Sequence, residues 1–179
     1  EKETVSKVLV FHTEQRPEIT AQVGEGATLR LACVQLLPAD KAYAGAVTIT
    51  AADQANVYYT AVEAGAGQSV TRLQVNLDGE GAAADVAALY FGDQNRKLDL
   101  NYIITQTGRN TEANMQVRGA LKDTSDKIFR GTLDFRHGSK GSTGKEKEEV
   151  VLLNEGVRNR SVPLMLSHED DVNGQHAVS

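Results

Sequence analysis

Cysteine, tryptophan, proline and aromatic residues are all scarce in this sequence. Of 179 residues, one is cysteine, none is tryptophan, three are proline and 5% are aromatic. The single cysteine, Cys33, excludes an intrachain disulfide and fits a reducing compartment, so we expect the protein to be cytoplasmic. The low aromatic content disfavours an extended groove in which sugar rings stack on aromatic side chains.

Long apolar runs and clusters of basic residues are also missing. No apolar run approaches the ~20 residues that a membrane helix requires, and the polar start Glu1-Lys2-Glu3 is not followed by the apolar segment of a signal peptide. The net charge is -5 and the basic residues are scattered, which disfavours contact with nucleic-acid phosphates. We therefore expect neither a membrane nor a nucleic acid as a partner.

The remaining composition is that of a folded domain, with 40% hydrophobic and 24% charged residues. A chain of this length can bury one substantial core, so we expect residues 1–179 to form a single domain. Because the sequence begins without Met and stops abruptly, we interpret it as a domain taken from a longer protein.

Short strand-like runs, rich in Val, Ile, Thr and Tyr, follow one another along the chain. Gly, Asn and Asp punctuate the gaps between them. Ala82–Leu89 has the composition of a short helix, but the flanking glycines and Tyr90-Phe91 favour a strand. The predicted strands are Val5–Phe11, Ile19–Val23, Ala27–Leu37, Ala46–Ala51, Asn56–Glu63, Ser69–Leu77, Asp85–Phe91, Leu98–Thr105, Asn114–Leu121, Lys127–Phe135, Glu148–Leu153 and Val162–His168.

Many short strands with turn signals admit two architectures, an antiparallel sandwich or barrel and a β-solenoid. The alternation of Leu73, Val75 and Leu77 with polar residues fits a strand with one buried face in either case. The sequence has no strict repeat of the kind that marks many solenoids. Periodicity therefore leaves both architectures open.

A series of short motifs between Gln68 and Ser179 carries a family resemblance. In order along the chain they are Leu77–Ala82, Ala88–Tyr90, Arg118–Leu121, Phe129–Gly131, Leu152-Leu153, Ser161–Pro163, and Asp170–Val172 followed by His176. The ordered set resembles the SufB/SufD family, the paired scaffold subunits of the SUF iron–sulfur cluster assembly machine, and is closer to SufD.

This resemblance implies a fold and a set of partners. It implies an all-β domain built as a right-handed parallel β-helix, and so it favours the solenoid. It also implies a SufB-like partner that pairs at the C-terminal strand end, Val162–Ser179, and the ATPase SufC, which would bind a helical region beyond residue 179. The N- and C-terminal helical regions of the family are not expected in this chain. An open solenoid end exposes unpaired backbone groups, so we expect the isolated domain to form a homodimer.

His176 is the main candidate site residue. In SufD proteins that resemble this chain, a histidine shortly after Asp-Asp-Val is implicated in building the nascent cluster, and imidazole is a suitable iron ligand. The alternative is that His176 is a surface or packing histidine with no ligand role. SufD relatives can carry Cys-x-His here, whereas this chain has Gly174-Gln175-His176, so any further ligands would come largely from the partner. We expect no tightly bound cofactor, only a transient iron–sulfur cluster or iron.

Other candidate residues favour structural roles. Alternation places Cys33 on the face of Leu29 and Leu31, which predicts a buried thiol. The acidic run Glu169–Asp171 has the chemistry of a cation site but is more typical of a solvated turn. His168 beside it is a candidate for an additional ligand.

Enzymatic motifs are not identifiable. His12 and His137 are isolated, and Asp93, Asp99 and Asp123 are typical of turns or strand edges. The loop His137–Glu146 superficially resembles a phosphate-binding loop, but Ser139 stands in place of its first glycine and Glu146 in place of its hydroxyl. We interpret that loop as a connection between coils.

We therefore predict a non-catalytic, SufD-like scaffold subunit. One alternative is a homodimeric SufB/SufD-like module, structural or iron-donating, without a cluster site of its own. Another, from a different class, is a β-solenoid protein active on carbohydrate, which would require carboxylates clustered on one sheet.

Overall fold

The computed structural model describes residues 3–179, which form thirteen β-strands connected by short turns. Within these residues there is no helix, and hence none long and apolar enough to cross a membrane. The strands are β1 (Thr4–Phe11), β2 (Glu18–Val23), β3 (Thr28–Gln35), β4 (Ala42–Ala51), β5 (Asn56–Glu63), β6 (Gln68–Leu77), β7 (Ala83–Gly92), β8 (Lys97–Gln106), β9 (Glu112–Leu121), β10 (Asp126–Phe135), β11 (Ser142–Leu152), β12 (Arg158–Ser167) and β13 (Val172–Val178).

The strands form two sheets that face each other. The odd sheet has the order β1-β3-β5-β7-β9-β11-β13, and the even sheet has the order β12-β10-β8-β6-β4-β2. Neighbouring strands within each sheet run parallel. Because the chain alternates between the sheets and advances by one strand at each return, the molecule is a β-solenoid of about 6 turns.

The core lies between the two sheets and is made by every second residue of each strand. In β6, Leu73, Val75 and Leu77 are buried between partly or fully exposed neighbours. The same alternation continues through β8, where Leu98, Leu100, Tyr102 and Ile104 point inward. The register keeps inward residues above inward residues from coil to coil, so the core is a set of stacked rows.

One corner of the solenoid repeats the same backbone conformation in successive coils. Residues with a left-handed backbone (φ between 54° and 77°) occupy this corner at Gly26, Gln54, Gly81, Asn110 and Gly141. The amide N–H of each of them donates to a carbonyl oxygen in the next coil, at Asp53, Glu80, Arg109, Lys140 and Asp171 respectively, over 2.7–2.9 Å. We call this series the corner ladder; it supplements the two sheets with a third line of hydrogen bonds.

The structure confirms the predicted β-solenoid and most of the predicted strands. Ala82–Leu89, with its helical composition, lies almost wholly in strand β7, as the flanking residues indicated. The interpretation of His137–Glu146 as a loop is wrong in its second half, because β11 already begins at Ser142. Strand β13 was not predicted, since its sequence VNGQHAV has few apolar residues.

Candidate functional site

The C-terminal end of the solenoid is the last coil, formed by β12 and β13. Each of these strands is the edge of its sheet, so each has one row of backbone groups without a strand partner within the described residues. The outer face of β12 also exposes Val162, Leu164 and Leu166, which are 39%, 45% and 42% accessible. Their register partners on β10 are polar: Arg130, Thr132 and Asp134. Unpaired edges beside apolar side chains are the features by which a sheet recruits another strand.

His176 lies on β13, in a row that faces the interior. Two residues earlier on the same strand, a side chain at Gly174 would collide with the Met165 sulfur of β12, so this side of β13 faces the core. Since side chains two residues apart share a face, His176 is directed toward the interior as well. It is nevertheless exposed, because no further coil covers the end of the described chain. Within residues 3–179, the imidazole is therefore accessible at the open C-terminal end of the solenoid, which we call its mouth.

A buried polar network lies just beneath this mouth. Lys127 of β10 and Glu148 of β11 form an ion pair across the interior, and both side chains are 0% exposed. The Tyr90 hydroxyl donates to Glu148 Oε1 over 3.1 Å, and the Ser161 hydroxyl donates to Glu148 Oε2. Burial lowers the pKa of Lys127, and the adjacent Glu148 carboxylate opposes that shift. Because Ser161 belongs to β12, the network extends into the last coil.

Glu146 lies next to this network and differs from it in having an unsatisfied oxygen. It points inward from β11, is 3% exposed, and its Oε2 has no hydrogen-bond partner in the described chain. Its other oxygen fills the space that a side chain at Gly131 would need. Burial raises the pKa of Glu146 to about 7, and the charge of Glu148 adds to the shift. In the register of the odd sheet, Glu146 is the residue directly beside His176.

The remaining candidate residues lie in the core or in the turns of the solenoid. Cys33 is buried, as alternation predicted, and burial raises the pKa of its thiol. Glu169 accepts a hydrogen bond from the backbone N–H of Gly138, so the acidic run forms a turn between β12 and β13. The ring of His168 lies 6.0 Å from that of His137. Across residues 3–179, no three His, Cys, Asp or Glu side chains lie close enough together to hold a metal ion.

Sequence reasoning missed Glu146 and Glu148 as interior residues. They lie in the stretch STGKEKEEV, where polar residues occupy both faces of the strand. Ser142, Gly144, Glu146 and Glu148 are buried, whereas Thr143, Lys145 and Lys147 are exposed. Hydrophobic alternation gives no signal in such a segment. The inward face could be found only from the spacing of small and acidic residues at every second position.

Two comparisons with known proteins indicate the same family. Residues 12–179 match the family described as "SUF system FeS cluster assembly, SufBD core domain". The chain is also similar to the iron-sulfur cluster assembly protein SufD of Bacillus subtilis (strain 168), with 27% identity over 113 residues, which are 63% of this chain and 26% of the relative. The matched region thus spans about a quarter of that curated relative's length.

Proposed function

Because the chain belongs to the SufBD core-domain family of the SUF system, we propose that it is a SufD-like scaffold component of iron–sulfur cluster assembly. In this proposal it has no catalytic activity of its own. It pairs with a SufB-like subunit and works with the ATPase SufC, which binds a region of the protein beyond residue 179. Iron and the nascent cluster are its cargo, held transiently.

The position of His176 is the observation that carries the proposal. An iron ligand is expected at a place that a partner can reach, and His176 is exposed at the mouth of the solenoid. Residues 3–179 contain no three-residue metal group, and in this proposal side chains of a second subunit supply the remaining ligands. Imidazole is a suitable ligand for iron, and thiolates of the partner would complete a cluster site.

The C-terminal end offers a surface for such a partner. The free edges of β12 and β13 can extend both sheets by strand pairing, and Val162, Leu164 and Leu166 add apolar area beside one of them. Pairing at this end would enclose His176 between the two subunits. The same features support self-association when the SufB-like subunit is absent.

The test is cluster assembly in cells that lack their own SufD and carry the full-length protein with His176→Ala. We expect a strong loss of iron–sulfur enzyme activity while the complex still assembles. His168→Ala is the matched control, since His168 is also exposed at this end of the solenoid, and it should leave activity unchanged. Normal activity with His176→Ala would assign the metal chemistry to the partner and leave this chain as a structural half of the scaffold.

A further inference from the structure

Glu146 is a buried acid whose carboxyl has neither an ion-pair nor a hydrogen-bond partner at Oε2. Asp134 is also buried and its Oδ1 also lacks a hydrogen bond, but its Oδ2 is paired with Arg136. Glu148 is paired with Lys127 and accepts two hydroxyl hydrogen bonds. Glu63 accepts hydrogen bonds from Ser69 and Thr71 at 2.8 and 2.6 Å. Glu146 Oε2 has no such bond anywhere in residues 3–179.

An unsatisfied buried polar group is costly to a folded protein. Leaving a buried acceptor without a partner costs about 1–3 kcal/mol, and more when the group is charged. An apolar residue would avoid that cost, and the same row carries one: the register neighbour of Glu146 on β9 is Met115, which is fully buried. A cation bound at Oε2 of Glu146 would remove that cost.

The arrangement around Glu146 favours a cation shared with His176. The two residues are register partners on adjacent parallel strands, whose backbones lie about 4.8 Å apart. Both face the interior, and Gly131 opposite leaves room for the carboxylate. A carboxylate and an imidazole together suit ferrous iron, which accepts both oxygen and nitrogen ligands.

We propose that Glu146 is a second ligand, supplied from inside the solenoid, for a ferrous ion held by His176. This inference rests on the proposed function, because it identifies the ion as the iron handled in cluster assembly. The ion satisfies the free oxygen of Glu146 and is held by two side chains of this chain before the partner adds its own. Glu148 is excluded from the role, because its oxygens are already engaged by Lys127, Tyr90 and Ser161.

Ferrous binding by the full-length protein tests the inference directly. Fe²⁺ is titrated anaerobically in competition with a chromophoric chelator, for the wild type, Glu146→Gln, His176→Ala and the double variant. Each single variant should weaken Fe²⁺ affinity by roughly tenfold or more, and the double variant should lose little beyond the larger single effect, because both side chains serve one ion. Glu63→Gln is the matched control and should bind Fe²⁺ as the wild type does.

A second variant tests whether any loss of Fe²⁺ binding comes from misfolding. Glu146→Met repeats the side chain found at the next position of the same row, Met115. Without iron, Glu146→Met should unfold at a temperature equal to or above that of the wild type, since it removes the unsatisfied carboxyl. Glu146→Gln removes the titratable group but keeps a buried polar side chain, so its unfolding temperature should stay close to that of the wild type. Weak Fe²⁺ binding together with undiminished stability is the expected combination.

The outcomes separate this inference from the proposed function. Wild-type Fe²⁺ affinity in Glu146→Gln, additive losses in the double variant, or no Fe²⁺ binding by the wild type would each overturn the shared ion. If His176→Ala abolishes cluster assembly in cells while Glu146→Gln binds Fe²⁺ normally, the inference fails and the proposed function stands. If Fe²⁺ binding needs both side chains but His176→Ala cells keep normal iron–sulfur enzyme activity, the ion site stands and the proposed function fails.

Discussion

Lys127 and Glu148 face each other from opposite sheets and form an ion pair that is closed off from solvent. The pair is enclosed by aromatic rings, with Lys127 Nζ 5.3 Å from the centre of Tyr90 and 5.8 Å from that of Phe129. Tyr90 of β7 and Ser161 of β12 both donate hydrogen bonds to Glu148, so this one ion pair contacts side chains from several coils.

Removing one member of this pair should be strongly destabilising. Lys127→Met leaves the Glu148 carboxylate buried without its cation, and breaking a buried pair in this way costs about 3–5 kcal/mol. The measurement is the free energy of unfolding from urea titration, compared with the wild type.

The double variant Lys127→Met/Glu148→Leu provides the control for that prediction. An apolar pair carries no unpaired charge, so the double variant should recover much of the stability lost in Lys127→Met. If it is as unstable as the single variant, the loss comes from packing rather than from charge.

Gly119 should not tolerate a side chain. A Cβ at this position would overlap the ring of Tyr90. That ring lies over the glycine, and its hydroxyl donates to Glu148. Gly119→Ala should therefore destabilise the protein by about 1–3 kcal/mol, as overpacking does in other cores. Gly24→Ala is the matched control, because no atom lies within 4 Å of a Cβ there. Equal thermal unfolding temperatures for the two variants would contradict the prediction.

Glu63 should make the stability depend on pH. Burial raises the pKa of this carboxyl above its ordinary value of 4.5, and the hydrogen bonds from Thr71 and Ser69 lower it only in part. The folded state therefore binds the proton more tightly than the unfolded state, and the free energy of unfolding falls as the pH rises from 4.5 through the folded-state pKa.

The variant Glu63→Gln isolates that contribution, because an amide has no proton to lose in this range. Urea unfolding between about pH 4 and pH 8 should show the wild type losing stability relative to the variant as the pH rises, with the difference level below the unfolded-state pKa. Parallel curves over the whole range would show that Glu63 does not titrate differently in the two states.

Partner association should depend on the outer face of β12. Leu164→Lys places a charge in the middle of the apolar stripe Val162–Leu166, where Leu164 is 45% exposed, and should weaken association with a SufB-like subunit or a second copy by roughly tenfold or more. Val8→Lys is the control at the opposite end, on β1, where Val8 is 68% exposed. Light scattering after gel filtration gives the readout, and equal association of the two variants would remove β12 from the interface.

Much of the fold was predictable from hydrophobic alternation. Runs such as Ser69–Leu77 and Leu98–Thr105 place apolar residues on one face, and the structure buries those residues. Alternation specifies a strand but not its partner, so the choice of a solenoid depended on the family resemblance. The backbone does repeat: the left-handed positions Gln54, Gly81 and Asn110 recur at the same corner of successive coils. Their identities differ, so the sequence shows no strict repeat although the backbone does.

The site was predictable only in part. His176 was identified through the resemblance, and the structure places it on β13 beside Glu146. The strand itself was not predicted because Asn173 and Gly174 are poor strand formers in isolation; pairing with β11 compensates for that. The interior position of Glu146 was not predictable from hydrophobicity, since the pattern assigns carboxylates to the solvent side.

The corner ladder makes the solenoid stiff. Each coil is bonded to the next along three lines, the two sheets and the corner from Gly26 to Asp171. The six steps from β1 to β13 span about 29 Å at the usual strand spacing. One coil cannot tilt or slide on its neighbour without breaking bonds in at least one of these lines. A displacement imposed at one end therefore reaches the other as movement of the whole body, and the molecule acts as a rigid rod between whatever holds its two ends.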